Sequence, residues 1–164
     1  MELRQMATAF LFRDQKVLMI KKSKSKLNNS EFWSGLGGHL EPQEINSPKI
    51  ACIREIFEES GIKESEISDL RMRYLLIRIK DSEIRQQYVY FGRTMKSELI
   101  MSDEGELSWV DQSEIVNLNL SIVIRKMIEH YLINQDKQDP MVGVITMSEE
   151  PKMQWSELRD PKIF

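Results

Sequence analysis

Three glutamates on one face of a short helix restrict this chain more than any other feature. Ser47 reads as an N-cap, Pro48 as the first helical residue and Gly61 as the C-terminal stop. Between them Ile50, Ile53 and Phe57 recur at i, i+3 and i+7, and Cys52 and Ile56 broaden the apolar stripe. Glu55, Glu58 and Glu59 stand at i, i+3 and i+4, so their side chains project together. Like charges at that spacing repel by roughly 0.2–0.5 kcal/mol per pair. The C-terminal half of a helix also disfavours anions. Arg54 can pair with Glu58, but one cation does not neutralise three carboxylates. A solvated acidic face explains most such clusters that stand alone. This one has company: Gly37, Gly38, His39, Leu40, Glu41 and Glu44 lie just upstream. Paired glycines let backbone carbonyls approach a ligand, and clustered carboxylates suit a hard divalent cation.

The segment from Gly38 to Ile62 resembles the Nudix box. Gly38 and Glu44 match its first part, and Arg54-Glu55-Ile56-Phe57-Glu58-Glu59-Ser60-Gly61-Ile62 matches its last part at every specified position. Nine residues, Ile45 to Ile53, separate Glu44 from Arg54, where the usual box has two fewer. The extra residues fall around Asn46-Ser47-Pro48, where a loop absorbs them at small entropic cost. The insertion therefore leaves the helical glutamates in register and bears on where Glu44 sits.

The resemblance implies an α/β fold, a Nudix-type α/β/α sandwich with a mixed sheet, and hydrolysis of a phosphoanhydride bond in a nucleoside diphosphate derivative. It also implies Mg²⁺, with Mn²⁺ as a substitute, held by Glu55, Glu58, Glu59 and the Gly38 carbonyl. Metal ions neutralise a diphosphate and acidify a bound water, and phosphoryl transfer then needs positioning more than covalent chemistry. The general base is Glu58 or Glu59, or a glutamate on a distant loop, for which Glu104 and Glu106 are the candidates. Arg54 is expected to orient the carboxylates, and His39 stands where it can reach a phosphate. Cys52, on the apolar stripe, reads as core, and His130 as surface.

The rest of the chain reads as strands and one more helix. Gln5–Phe12 and Val17–Lys21 form two strands joined by a turn, and polar Lys22–Ser30 reads as a loop. Phe32–Gly38 packs three glycines around Trp33 and Leu36, and Glu41–Ser47 is a further loop. Leu70–Lys80 and Gln86–Thr94 read as antiparallel neighbours across a short link. Glu106–Val110 reads as a shorter strand and Ile122–Ile133 as a helix. The expected order is β-β-β-α-β-β-β-α, over a domain of residues 1–139. A tail, 140–164, follows, with Val142–Thr146 and Lys152–Trp155 able to pair around Glu149-Glu150-Pro151. Val142, Val144, Ile145, Met153 and Trp155 are apolar enough to pack on the domain or on a partner subunit, as in a homodimer.

Composition excludes other classes. A net charge of −3 argues against a nucleic-acid polymer as partner. No apolar run approaches the ~20 residues that span a bilayer, and Ala7–Phe12 is too short for a signal peptide. The single cysteine rules out an internal disulfide and fits the cytoplasm. The basic run Lys21, Lys22, Lys24 and Lys26 can steer phosphates or stand as a solvated loop. Trp33-Ser34-Gly35-Leu36-Gly37-Gly38 is similar to a Trp-Asn-Gly-x-Gly-Gly segment of members that clear oxidised purine nucleoside triphosphates. Trp33 can stack on a base, and Ser34 offers one hydroxyl where an amide gives a separate donor and acceptor. ADP-ribose, nucleotide sugars, dinucleoside polyphosphates and ordinary (d)NTPs are the other substrates in view. The reading of a different class is a nucleotide-binding module without turnover.

Overall fold

The structure is a computed structural model that describes residues 1–25, 28–147 and 150–161. Its strands are β1 (Glu2–Arg13), β2 (Lys16–Ser25), β3 (Asn28–Ser34), β4 (Leu36–His39), β5 (Ile67–Lys80), β6 (Glu83–Thr94), β7 (Glu106–Asp111), β8 (Met141–Met147) and β9 (Pro151–Glu157). The helices are α1 (Pro48–Ser60) and α2 (Ile122–Ile133). Among the described residues the main sheet path runs β3-β2-β1-β6-β5-β8-β9, with β4 paired to β1 and β7 to β2. β1 and β6 run parallel and β5 and β6 antiparallel, so the sheet is mixed.

Alternation along β1 builds both cores. Ala7, Ala9 and Leu11 face one side and pack with Leu18, Ile20, Leu36, Cys52 and Ile56 under α1. Phe10 and Phe12 face the other and pack with Met19, Tyr74, Val89, Phe91, Val123 and Met127 under α2. Each fully buried Leu, Ile, Val, Phe or Met side chain among them contributes about 1.5–3 kcal/mol. The result is a sandwich of two helices about one sheet, as the resemblance implies.

Several local expectations change. Lys22–Ser25 continues β2 instead of looping, and β3 begins at Asn28 after residues outside the described set. Pairing with β3 supplies the ladder that polar composition did not advertise. The glycine segment divides into β3 and β4, one strand more than expected before α1. Within 41–47, Pro42–Glu44 forms a 3-10 turn. On α1 the buried face is Ala51, Cys52, Glu55, Ile56, Glu59 and Ser60. Ile50 and Phe57, expected in the stripe, are 58% and 51% exposed. The helix is rotated so that two glutamates, not two hydrophobes, meet the sheet. Ser47 precedes the helix without a side-chain cap.

The tail strands extend the sheet of their own chain. β8 pairs in parallel with β5 from Tyr74↔Met141 to Ile77↔Val144, and β9 returns antiparallel along β8. Glu149, expected in their connection, lies outside the described residues. His130 is half-buried and not a free surface residue. Its Nδ1 is 3.0 Å from the Tyr74 hydroxyl, and its ring lies 4.3 Å from that of Trp155 on β9. The tail thereby packs over α2, which a reading of α2 alone does not reveal.

Candidate active site

Two backbone features bring the acidic groups together. Gly61, at φ 73°, ends α1 in the left-handed region, and its N–H donates to the Phe57 carbonyl at 2.8 Å. β4 runs beside β1, pairing Gly37 with Thr8 and Gly38 with Ala7, and α1 packs against it. A Cβ on Gly38 would lie 2.4 Å from Glu55 Oε1, so any other residue there must displace that carboxylate.

Arg54 organises the outer part of the cluster. Its Nε donates to Glu44 Oε1 at 2.8 Å and its Nη2 to Glu44 Oε2 at 2.9 Å. Its Nη1 reaches Glu55 Oε1 at 2.9 Å and Glu58 Oε2 at 3.0 Å, and Nη2 also donates to the His39 carbonyl at 3.1 Å. Glu44 is 3% exposed and accepts the Glu41 N–H at 2.8 Å as well. The Arg54 hydrogen bonds hold its carboxyl below the usual range, against the cost of burial. The insertion thus leaves Glu44 bound to the helix.

Glu59 forms the inner part and is fully buried. The Gly37 N–H donates to its Oε2 at 2.8 Å, and Lys22 Nζ to its Oε1 at 2.5 Å. Burial pushes its carboxyl up to about 7, with Lys22 and the Gly37 N–H opposing. Burial likewise raises Glu55, with Arg54 opposing. Cys52, buried beneath this face, is pushed up to about 12 by desolvation and belongs to the core.

The two loop candidates for a base part company. Leu18, Ile20 and Lys22 alternate onto the α1 face, and Lys22 Nζ lies 3.5 Å from Glu104 Oε2. Glu104 raises both Glu59 and Glu55, so it faces the cluster. Glu106 pairs with Lys21, 3.1 Å away, on the opposite face of β2. Lys21 also lies 5.9 Å from the Trp33 ring. Trp33 and Ser34 end β3, with the Trp33 N–H donating to the Asn119 carbonyl at 2.8 Å. The His39 side chain points to Arg4, 3.4 Å from its Nη1, and away from the carboxylates. Lys26 and the Lys24 side chain lie outside what the structure describes.

Lys22 has a particular part that its place in a basic run conceals. Strand alternation is the signal that could have singled it out, had β2 been extended past Lys21. Among the described residues no three acidic, imidazole or thiol groups converge on one point. The carboxylates instead turn to Arg54 and Lys22. The donor set fits a hard cation nonetheless: among the described residues Glu44, Glu55, Glu58, Glu59 and Glu104 crowd against two cations, Arg54 and Lys22, and Gly38 leaves a cradle at Glu55.

The architecture is shared with solved structures. A MutT protein from Bacillus halodurans superposes with a TM-score of 0.69 at 17% identity, over 93% of this chain and 97% of its own. A MutT protein from Methanosarcina mazei Go1 gives 0.69 at 21% identity, over 83% and 97%. An Ap4A hydrolase from C. elegans gives 0.64 at 12% identity, over 83% and 98%. At such identities these matches establish the fold. The family model of the NUDIX domain matches residues 2–131 and takes in every residue of the cluster. On that match the chain belongs to the NUDIX family of hydrolases acting on nucleoside diphosphate derivatives.

Proposed function

We propose that this chain is a Mg²⁺-dependent pyrophosphohydrolase of a nucleoside triphosphate, with oxidised purine nucleotides the first substrates to test. The observation that carries the reading is the Arg54-braced set of Glu44, Glu55 and Glu58 beside buried Glu59. Glu55, Glu58, Glu59 and the Gly38 carbonyl would hold the metal, and Mn²⁺ can replace Mg²⁺. When bound, the metal supplies charge neutralisation for the diphosphate and a more acidic water.

The chain's own residues do the rest. Arg54 fixes the carboxylates of α1 and so lowers the cost of organising them. Glu104, at the rim and half exposed, accepts the proton of the attacking water. Lys22 pairs with Glu59 and places a cation beside a phosphate bound there. Glu106 serves Lys21 on the other face and takes no part in proton transfer.

The substrate preference rests on Trp33 and the glycines of the Trp-Ser-Gly-Leu-Gly-Gly segment, from which Ser34 is the one departure. The protein acts on small nucleotides in the cytoplasm, and among the described residues no helix is long and apolar enough to cross a membrane. A phosphate- and pyrophosphate-release screen tests the substrate. It covers canonical and oxidised (d)NTPs, ADP-ribose, nucleotide sugars and dinucleoside polyphosphates. Fastest turnover of an oxidised purine triphosphate, slowed by Trp33→Ala, supports the preference; fastest turnover of ADP-ribose or a dinucleoside polyphosphate refutes it.

A further inference from the structure

β5 carries an irregularity that the hydrolytic centre does not use. Between Met72↔Tyr90 and Tyr74↔Val89 the ladder advances one residue on β6 but two on β5, so Arg73 is the extra residue of a β-bulge. The bulge breaks strand alternation and lets Arg73 and Tyr74, neighbours in sequence, both be buried. The Arg73 guanidinium carbon lies 5.8 Å from the Phe91 ring centroid. An earlier shift between Ser68 and Arg71, with Asp69 at φ 54°, sets Arg71 opposite Phe91. Arg93 follows Phe91 by two positions on β6. These groups and Tyr131 of α2 line a cleft of about 100 Å³.

The charge of this cleft is unbalanced. Arg73 is only 7% exposed, and its guanidinium donates to the Lys137 carbonyl. Among the described residues, no carboxylate forms an ion pair with Arg71, Arg73 or Arg93. Asp69, the acidic group of the lining, is exposed at the rim. Burial raises the Tyr131 phenol, and the charges of Arg73 and Arg93 oppose that shift, so both guanidinia face it. A guanidinium taken from water without a counter-ion is unfavourable, and its fork of donors matches phosphate oxygens. We propose that the bulged start of β5, with Arg93 and Tyr131, forms an anion site that takes a phosphate group. A volume equal to about three liquid waters accommodates that group and leaves any attached nucleoside outside. The site is not part of the hydrolytic centre. Tyr88 of β6 pairs with Ala7, which pairs with Gly38, and Arg93 lies five residues farther along, about 16 Å at strand spacing.

The test uses the full-length protein in EDTA at low ionic strength, where the carboxylate cluster repels anions. Inorganic phosphate is titrated while the Tyr131 ring resonances are followed by NMR, with the affinity taken from calorimetry. The expected result is saturable binding at one site, weakened about ten-fold or more by Arg71→Ala or Arg93→Ala and tightened by Asp69→Asn. Arg71 and Arg93 are exposed, so these variants keep the fold. A nucleoside monophosphate forms the second arm: tighter binding than phosphate identifies a nucleotide as the source, and equal binding identifies free phosphate. No saturable change at Tyr131, or an affinity unaltered in the Arg71→Ala/Arg93→Ala double variant, overturns the proposal.

Discussion

Arg54 grips Glu44, ten residues upstream, with two parallel hydrogen bonds of 2.8 and 2.9 Å. The pair closes over the residues inserted ahead of α1 and fixes the approach to the helix. The same guanidinium reaches Glu55 and Glu58, so one planar fork sets three carboxylates from two segments. Lysine keeps the charge but cannot bind two oxygens side by side. Arg54→Lys is expected to lower kcat about 10²-fold through misplaced carboxylates while KM changes little. Steady-state kinetics read this directly, and an equal rise in KM with kcat unchanged contradicts a purely orienting role.

Gly38 is expected to tolerate no side chain. Its absent Cβ is replaced in space by the Glu55 carboxylate, 2.4 Å from where alanine would put a methyl. Gly38→Ala must displace Glu55, and a displacement on the order of 1 Å costs about 10²-fold in rate. Circular dichroism should show the fold retained. Wild-type kcat in this variant means that Glu55 has no placement to lose.

Glu104 and Glu106 are two residues apart and separate cleanly in space. Glu104→Gln is expected to lower kcat by about 10²–10⁴, the usual contribution of a general base. Glu106→Gln, which breaks only an exposed pair with Lys21, is expected to leave kcat near wild type, since such pairs are worth about 0–1 kcal/mol. The reverse order of effects, measured at saturating substrate, assigns the base to the other face.

Much of this was legible in the sequence, because a motif with many fixed positions defines a helix and its approach. Gly38, Arg54, Glu55, Glu58 and Glu59 lie side by side, and β1, the apolar part of β2, β5 and β6 were visible as strands, whereas β4 was not. What was hidden depends on partners distant in the chain. The rotation of α1 that exposes Ile50 and Phe57 follows from two glutamates meeting β4, and an apolar count cannot anticipate it. Lys22 was concealed because β2 outlasts its apolar residues by pairing with β3. The bulge at Arg73 leaves no local mark at all. His130 was misplaced because its neighbours, Tyr74 and Trp155, lie on β5 and β9.

The buried Glu59 carboxyl gives a pH dependence of definite sign. Its pKa is raised, to about 7 in the fold against about 4.3 in an unfolded chain. The folded protein therefore holds a proton that the unfolded chain has lost. This contribution to stability is fully present below about pH 4.3 and disappears as pH rises through 7. Glu55, raised in the same direction, adds to it. Thermal unfolding in EDTA should show the wild type losing more stability than Glu59→Gln between about pH 5 and 7.5. Equal slopes in the two proteins contradict the assignment. Because metal competes with that proton, apparent Mg²⁺ affinity should rise with pH over the same interval.

The Glu55, Glu58 and Glu59 carboxylates are proposed to form a divalent-metal hydrolytic centre. Nucleotide turnover measured against Mg²⁺ concentration in the wild type and in Glu58→Gln and Glu59→Gln decides whether they do. The expected result is saturable dependence on Mg²⁺, no product in EDTA, and a loss of about 10³-fold or more in each variant, of the order that removing a principal catalytic electrostatic group costs. Undiminished turnover in both variants, or nucleotide binding with no product at any metal concentration, would contradict it and return the chain to the reading of a nucleotide-binding module.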